Sequence, residues 1–454
     1  PMSDAQYRHI INETEPDFSA TACLGLTLAD LSSAALARLK QLYARKQKNP
    51  DFERLPDRQV LSDLDLLLPG PAEQLTYAAL LLVGSVAALK QYLPQAGINL
   101  EYRATATSIT FQDRLILREP LFGGLDAAWD FINKRNGRIA LPQGLYILDD
   151  IALLNEVVVR EALLNAVAHR DYRRASEVVV HQSPSCLDVS SPGGFPAGVT
   201  EQNILTVNST PRNRLLADVL LKTGLVERSG QGVDKIFRNS IVEAKGTPSY
   251  HRSDAAQVVL QLPALVEDPA FALFINYVQR ELRIELTLNE VLTLEKVRQR
   301  VPRAELPEAT VQDLARRRLI EPVGNTRARH FILAREYYQF TGDSAGYTLE
   351  QLPHETVLVQ QVHHHLTLFP TGFKMGDMYK LLQGTLSSSQ VKELIYRLRD
   401  QEMLDTHGVG RATTYTEGQR WRDDNDRLQR AVHLGIEQMK AQGEWPAESD
   451  AKPT

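Results

Sequence analysis

The sequence predicts an α+β protein in which a helix layer covers an antiparallel or mixed sheet. An α+β segment precedes that sandwich, and two small helix-and-wing units follow it. Three observations carry the expectation. Near residue 98 the hydrophobic period changes from helical spacing to the alternation of strands. A helix with a polar stripe, residues 155–169, is followed by a strand pair, two glycine-bearing turns, a helix and a closing strand. Beyond Pro269, short helices and basic turns occur twice in the same order.

Residues 28–48 read as a helix, because Leu31, Leu36, Leu39 and Leu42 form one apolar stripe that Lys46, Lys48 and Pro50 close. Residues 61–68 read as a short helix, and the alanine- and leucine-rich residues 76–92 as one helix stopped by Pro94 and Gly97. Residues 98–103 and 108–117 alternate and carry β-branched side chains, hence strands. A helix at 126–133 and an extended pair at 138–147 follow. After the striped helix come strands at 177–181 and 187–190, joined by a Ser183-Pro184-Ser185 turn. Helices at 215–221 and 232–242 and a strand at 257–262 complete the sandwich. In the first later unit Thr287 and Glu290 form a capping-box start. Helices at 292–300 and 308–318 and a hairpin at 320–333 follow it. The second unit has helices at 355–366, 374–382 and 389–401 and a wing at 404–416. A last helix is expected at 420–442 and a disordered tail from 444. The implied division is 1–121, 122–265, 270–336, 350–416 and 417–454.

The composition is that of an ordinary globular chain, with 43% hydrophobic and 24% charged residues among 454. The formal charge of −5 excludes a uniformly basic coat but leaves room for a local basic face. Two cysteines, Cys23 and Cys186, are too few for a disulfide framework or a cysteine-based zinc site, which fits a reducing cytoplasm. The longest apolar run, near residues 77–86, is too short to span a bilayer, and no signal peptide is legible, so no membrane role is expected. The chain begins with Pro1, which reads as a fragment, as a processed product, or as a residue left before a true start at Met2.

The chemistry concentrates in Arg160–Tyr172. Glu161, Asn165 and His169 recur every four residues and make one polar stripe on a helix that carries Leu163, Leu164, Ala166 and Val167 elsewhere. A carboxylate one turn before a carboxamide suits a hydrated cation and a positioned water, as a non-Walker ATP·Mg2+ site requires. A polar stripe alone is also what a solvated helix face looks like. The downstream turns Ser191-Pro192-Gly193-Gly194 and Gly230-Gln231-Gly232 sharpen the signal. Glycines let backbone N–H groups approach phosphates, and the second turn opens a helix whose N-terminus favours an anion. His169 and Asp171 complete the site, or His169 packs and caps the helix end. The run His363-His364-His365 is an ordinary helix surface, since adjacent helical residues point apart.

Together with Ser209-Thr210-Pro211-Arg212-Asn213 and Glu227–Gly232, these segments resemble the RecG-like C-terminal ATP-binding module of the GHKL (Bergerat) ATPase group. The resemblance covers about residues 122–265 and implies a GHKL-like α/β sandwich. It implies that Glu161 is the general base orienting water at the γ-phosphate, and that Asn165 holds Mg2+ with Glu161 beside it. Gly193 and Gly194 match the first glycine box, Gly230 and Gly232 the second, and Arg212 lies in the lid where it can neutralise phosphate. One departure stands out: the group places Asp two residues before the first glycine, to accept from the adenine amine, and this chain has Ser191. Such modules follow an AlbA-like, Schlafen-type domain in regulators with C-terminal winged helices. No complete AlbA-like domain is legible here.

The helix–helix–hairpin order after residue 287 is the winged-helix pattern. Residues 287–333 carry nine basic against six acidic side chains. The basic ones gather at Arg316, Arg317 and Arg318 and at Arg327 and Arg329, where this pattern meets backbone phosphates. In the second unit Lys392 and Arg411 are the candidate DNA contacts. No Gly-x-x-x-x-Gly-Lys-Ser/Thr run occurs, so no helicase motor is expected. The leading expectation is a dimeric, ATP-binding DNA-binding regulator with weak Mg2+-dependent hydrolysis at most. The alternatives are a degenerate scaffold that binds DNA or protein without ATP, and the regulatory part of a defence effector.

Overall fold

The computed structural model describes residues 17–70, 73–143, 146–196, 198–207, 211–226, 231–323, 330–343, 347, 354–382, 386–408, 410, 413–424 and 426. The chain divides into two compact bodies, residues 1–321 with 331–344, and residues 322–330 with 345–454. The mixed α+β character expected from the sequence is observed.

The first body opens with α1 (Ser33–Gln47), N-capped by Ser32 and ended by Lys48 in the left-handed region. Then come α2 (Asp57–Asp63), β1 (Leu67–Leu68), β2 (Gln74–Leu75), α3 (Tyr77–Val83) and α4 (Val86–Tyr92). The single helix expected over 76–92 is therefore two. Gly84 turns extended and the Ser85 side chain accepts from the Ala88 N–H, starting a new helix where apolar content alone suggested continuity. The short helix expected at 61–68 instead lies at 57–63 and gives way to β1.

Strands β3 (Ile98–Arg103) and β4 (Phe111–Leu117) lead through α5 (Leu121–Asn133) to the hairpin β5 (Arg138–Gln143) and β6 (Tyr146–Ala152). Helix α6 (Glu156–His169), strands β7 (Val178–Gln182) and β8 (Cys186–Pro192), helices α7 (Arg214–Lys222) and α8 (Gln231–Val242), and β9 (Gln257–Pro263) follow. Five strands make one sheet in the order β4-β3-β7-β8-β9. Only β3 and β7 run parallel; the other neighbours are antiparallel. That is the mixed sheet that alternating strands around one long crossover produce.

Ile98, Leu100, Val178, Val180, Leu187, Val189 and Leu262 are buried in the core. One apolar cluster runs from Cys23 to Ala264, taking in the N-terminal helices as well as α6. Residues in register across the sheet, Arg114, Glu101, His181, Asp188 and Gln261, form a polar row on the face opposite Leu100 and Val180. Arg252 pairs with Asp188 at 2.5 Å and Arg103 with Glu101 at 2.7 Å, which offsets the burial of both carboxylates.

Helices α9 (Pro269–Arg280), α10 (Leu288–Arg298), α11 (Glu308–Arg316) and α12 (Arg335–Thr341) share a second core containing Phe271, Phe274, Leu294 and Leu314. The expected Thr287–Glu290 capping box starts α10, with Glu290 accepting from the Thr287 N–H at 2.6 Å. Strands β10 (Ile320–Val323) and β11 (His330–Leu333) form a two-stranded sheet. In the second body α13 (His354–Leu368), α14 (Met375–Leu381) and α15 (Ser388–Asp400) surround Val362, Met378 and Ile395. Its three-stranded sheet runs β12-β14-β13, from Phe373–Lys374, Thr414–Glu417 and Leu404–His407. His363 packs at a tilt on Trp421 with centroids 4.5 Å apart and lies 3.2 Å from the Glu417 carboxylate, so it is engaged within this body where an ordinary helix surface was expected. Most of the helix expected at 420–442 and the whole tail fall outside the described residues. Among the described residues no helix is long and apolar enough to cross a membrane.

Candidate functional site

Helix α6 starts cleanly because the Asn155 carboxamide accepts from the Val157 and Val158 N–H groups. The helix is buried on almost every side, since Val158, Val159, Leu163, Leu164 and Val167 meet core on different faces. The polar stripe of Glu161, Asn165 and His169 is therefore not a solvated face. Glu161 is only 4% exposed. A carboxylate there requires nearby donors or a cation. The Lys235 ammonium, from the second turn of α8, lies 4.0 Å from its Oε1.

The N-terminus of α8 lies directly on this pair. A Cβ built on Gly232 would fall 2.9 Å from Glu161 Oε2 and 3.3 Å from Asn165 Nδ2. Only glycine allows that approach without displacing the carboxylate. The Asn165 Nδ2 atom is buried and has no hydrogen-bond partner among the described residues. Structure thus brings Glu161, Asn165 and Gly232 together. Gly230, the other glycine of that turn, lies outside the described residues.

The first glycine turn sits at the opposite end of α6. Gly193 adopts φ +100° at the end of β8, a conformation that L side chains rarely reach. A Cβ there would overlap the Arg212 Nη1 and come within 2.9 Å of the Asp171 Cβ. Gly194 accepts from Arg212 Nη2 at 3.2 Å.

The residues around this turn account for the helix end. The last carbonyls of a helix lack internal donors and carry the negative end of its dipole. Here every carbonyl from 166 to 170 accepts a side-chain hydrogen bond. Ser191 Oγ donates to the Ala166 oxygen at 2.7 Å, and the Tyr172 hydroxyl to that of Val167 at 3.1 Å. Asn213 Nδ2 donates to Ala168 at 3.0 Å and Arg170 at 2.8 Å, and Arg212 Nη1 to His169 at 3.0 Å. Ser191 and Arg212, expected at a cofactor, are engaged here by the end of α6. Burial and the adjacent Arg212 cation push the His169 imidazole down to about 4, so it is neutral at pH 7. Burial alone would raise Asp171, but hydrogen bonds from Arg173 and the charge of Arg212 hold it below the usual carboxylate range.

Sequence reasoning missed three residues. Lys235 carries the cation beside Glu161, Asn213 caps α6, and Arg170 is fully buried, donating to the carbonyls of Gln95 and Ser176. Lys235 lies one helical turn beyond Gly232, so its spacing was an available signal. Arg170 and Asn213 act on carbonyls distant in sequence, and no local pattern announces them.

The candidate nucleic-acid contacts divide. Arg316 and Arg318 are exposed, whereas Arg317 pairs with Glu290 and Asp313, joining α11 to the capping box of α10. Arg327, Arg329 and Arg411 lie outside the described residues. Lys392 is exposed on α15, 5.7 Å from the centroid of the exposed Tyr396, whose ring also lies 5.0 Å from Arg399. Among the described residues no group of three or more His, Cys, Asp or Glu side chains gathers as a metal site.

Comparison with known proteins gives four findings. Residues 8–99 match a family described as "Domain of unknown function (DUF8451)". The crystal structure of the DIP2311 protein from Corynebacterium diphtheriae superposes with a TM-score of 0.58 at 22% identity, covering 76% of this chain and 69% of that one, a likeness of fold. No curated protein matches the chain. Residues 176–262, from just before β7 to β9, match the family described as "Putative ATP-dependent DNA helicase recG C-terminal", so strands β7, β8 and β9 and both glycine turns, though not β3, β4 or α6, are similar to a GHKL/RecG-like ATPase-associated module.

Proposed function

We propose that this protein binds ATP with Mg2+ where α6 meets α8, and that the nucleotide regulates DNA binding by two winged-helix units. The observation that carries the reading is the seat of Gly232 on Glu161 and Asn165. It unites a buried carboxylate, an amide nitrogen without a partner and a helix N-terminus, the donor set an anionic ligand with a hard cation needs. These residues support the reading of an ATP·Mg2+ site. Asn165 would hold Mg2+ together with waters and phosphate oxygens, an arrangement that needs no cluster of carboxylates. Bound Mg2+ supplies charge neutralisation at the phosphates. Glu161 would orient a water and accept its proton. The N–H groups at the start of α8 would face phosphate, whereas the Gly193 N–H already donates to the Ala256 carbonyl at 2.8 Å; hydrolysis is expected to be slow.

Calorimetric titration with ATP and Mg2+ tests the reading. The wild type is expected to bind, and Asn165→Ala to bind at least about tenfold more weakly, as loss of a charge-assisted contact implies. Absence of binding by the wild type, or equal binding by the variant, would sink the pocket assignment. The second reading, a scaffold that binds no nucleotide, then takes its place. The engagement of Ser191, Arg212 and Asn213 by helix carbonyls favours that alternative.

The DNA part of the proposal rests on the helices and small sheets of residues 288–333 and 354–417, and on the outward row Lys392, Tyr396 and Arg399 of α15. Cations flanking an aromatic ring suit a phosphate backbone. Lys392→Ala is expected to lower duplex affinity severalfold and to reduce the slope of log K against log salt by about one. An unchanged affinity and slope would remove α15 from the contact.

A further inference from the structure

The cation beside Glu161 belongs to a residue that neither the glycine turns nor the polar stripe includes. Lys235 follows Gly232 by three residues, in the twelve-residue helix α8. Its Nζ lies 4.0 Å from the Glu161 Oε1; the lysine side chain is 28% exposed, the carboxylate only 5%. The two ends of this ion pair are therefore held differently. Glu161 is fixed inside the packed helix α6, whereas Lys235 reaches in from a half-open position on a flexible four-carbon stem. Gly232 brings the start of α8 against the same carboxylate, so an anion entering over Gly232 arrives within reach of Lys235.

We propose that Lys235 is the phosphate-binding residue of this site, and that its ion pair with Glu161 keeps the carboxylate neutralised until a polyphosphate draws the cation away. The inference rests on the nucleotide-binding reading above and adds to it a residue and a mode of control. A carboxylate offers one negative charge to the ammonium. A triphosphate offers several, spread over oxygens that a point-charge ammonium reaches from many angles. The cation moves to the ligand, and Glu161 is left ionised beside it, able to orient a water and take its proton. Without ligand the ion pair closes again. Lys235 thus touches the ligand directly, and its partner changes with occupancy.

Titrations of the full chain with Mg2+ test the exchange, using ATP, AMP and inorganic triphosphate as probes. Lys235→Ala is expected to weaken ATP and triphosphate by about tenfold or more, and to change AMP by less than about twofold, since AMP lacks the distal phosphates. Lys235→Arg keeps the charge and is expected to retain most of the ATP affinity. Glu161→Gln removes the carboxylate charge that holds the lysine at 4.0 Å and is expected to bind ATP about threefold or more tighter. This last variant leaves Lys235 in place, so it remains informative if Lys235→Ala unfolds. Wild-type binding of ATP with equal binding by Lys235→Ala, an equal loss for AMP and ATP, or weaker binding by Glu161→Gln would each overturn the exchange while the nucleotide reading stands. A wild type that binds neither ATP nor triphosphate would overturn both.

Discussion

Gly193→Ala is expected to lower folding stability by about 2–4 kcal/mol, through backbone strain at positive φ together with steric overlap. The backbone there stands at φ +100°, and the added methyl would meet the Arg212 guanidinium and the Asp171 Cβ. Arg212 is not an idle neighbour. It binds the His169 and Gly194 carbonyls, so moving it uncovers the end of α6 and loosens the turn. Gly198 supplies the control, because its φ is +81° but a Cβ there meets nothing within 4 Å. Gly198→Ala should therefore cost only the backbone part, about 1–2 kcal/mol. Urea unfolding of the two variants separates strain from contact. Equal losses would refute the claim that Arg212 is seated against Gly193.

Arg170→Ala is expected to cost about 3–5 kcal/mol, the range for emptying a large buried site and stranding buried acceptors. The Arg170 side chain is fully enclosed, bridges the carbonyls of Gln95 and Ser176, and stacks 4.8 Å from the Tyr172 ring centroid. Its Nε and Nη1 atoms have no hydrogen-bond partner among the described residues, so part of its charge is poorly compensated. Arg170→Met keeps most of the volume and removes that burden. It should cost less than alanine, about 1–3 kcal/mol. Denaturant midpoints of both variants give the comparison. An alanine loss below about 1 kcal/mol would show that the loops at 95 and 176 do not depend on this residue.

The pattern of elements was legible because it depends on local chemistry. The Thr287–Glu290 box and the bounds of β3 and α6 follow from neighbours within a few residues, and the structure places all three close to expectation, although β3 is buried over four consecutive residues where alternation was expected. The division of residues 76–92 into α3 and α4 was not legible, because alanine and leucine favour helix on both sides of Gly84. Helix α9 also escaped, although Asp268 and Pro269 form an ordinary helix start.

The candidate site shows the same boundary more sharply. Spacing alone put Glu161, Asn165 and His169 on one stripe of one helix, and glycine pairs at two turns marked where backbone comes close. Whether that stripe met solvent or protein was beyond any periodicity, since α6 carries apolar side chains almost all round. Burial of Glu161, the seat of Gly232 and the arrival of Lys235 depend on how α8 packs against α6. The assignment of Ser191, Arg212 and Asn213 to the carbonyls of α6 likewise joins residues more than twenty positions apart. The sequence by itself determined which residues carry charge and where the backbone must be glycine, because those are properties of single residues and their near neighbours. Tertiary structure alone decided which charge faces which, because long-range packing sets both the separation of two groups and the water left between them.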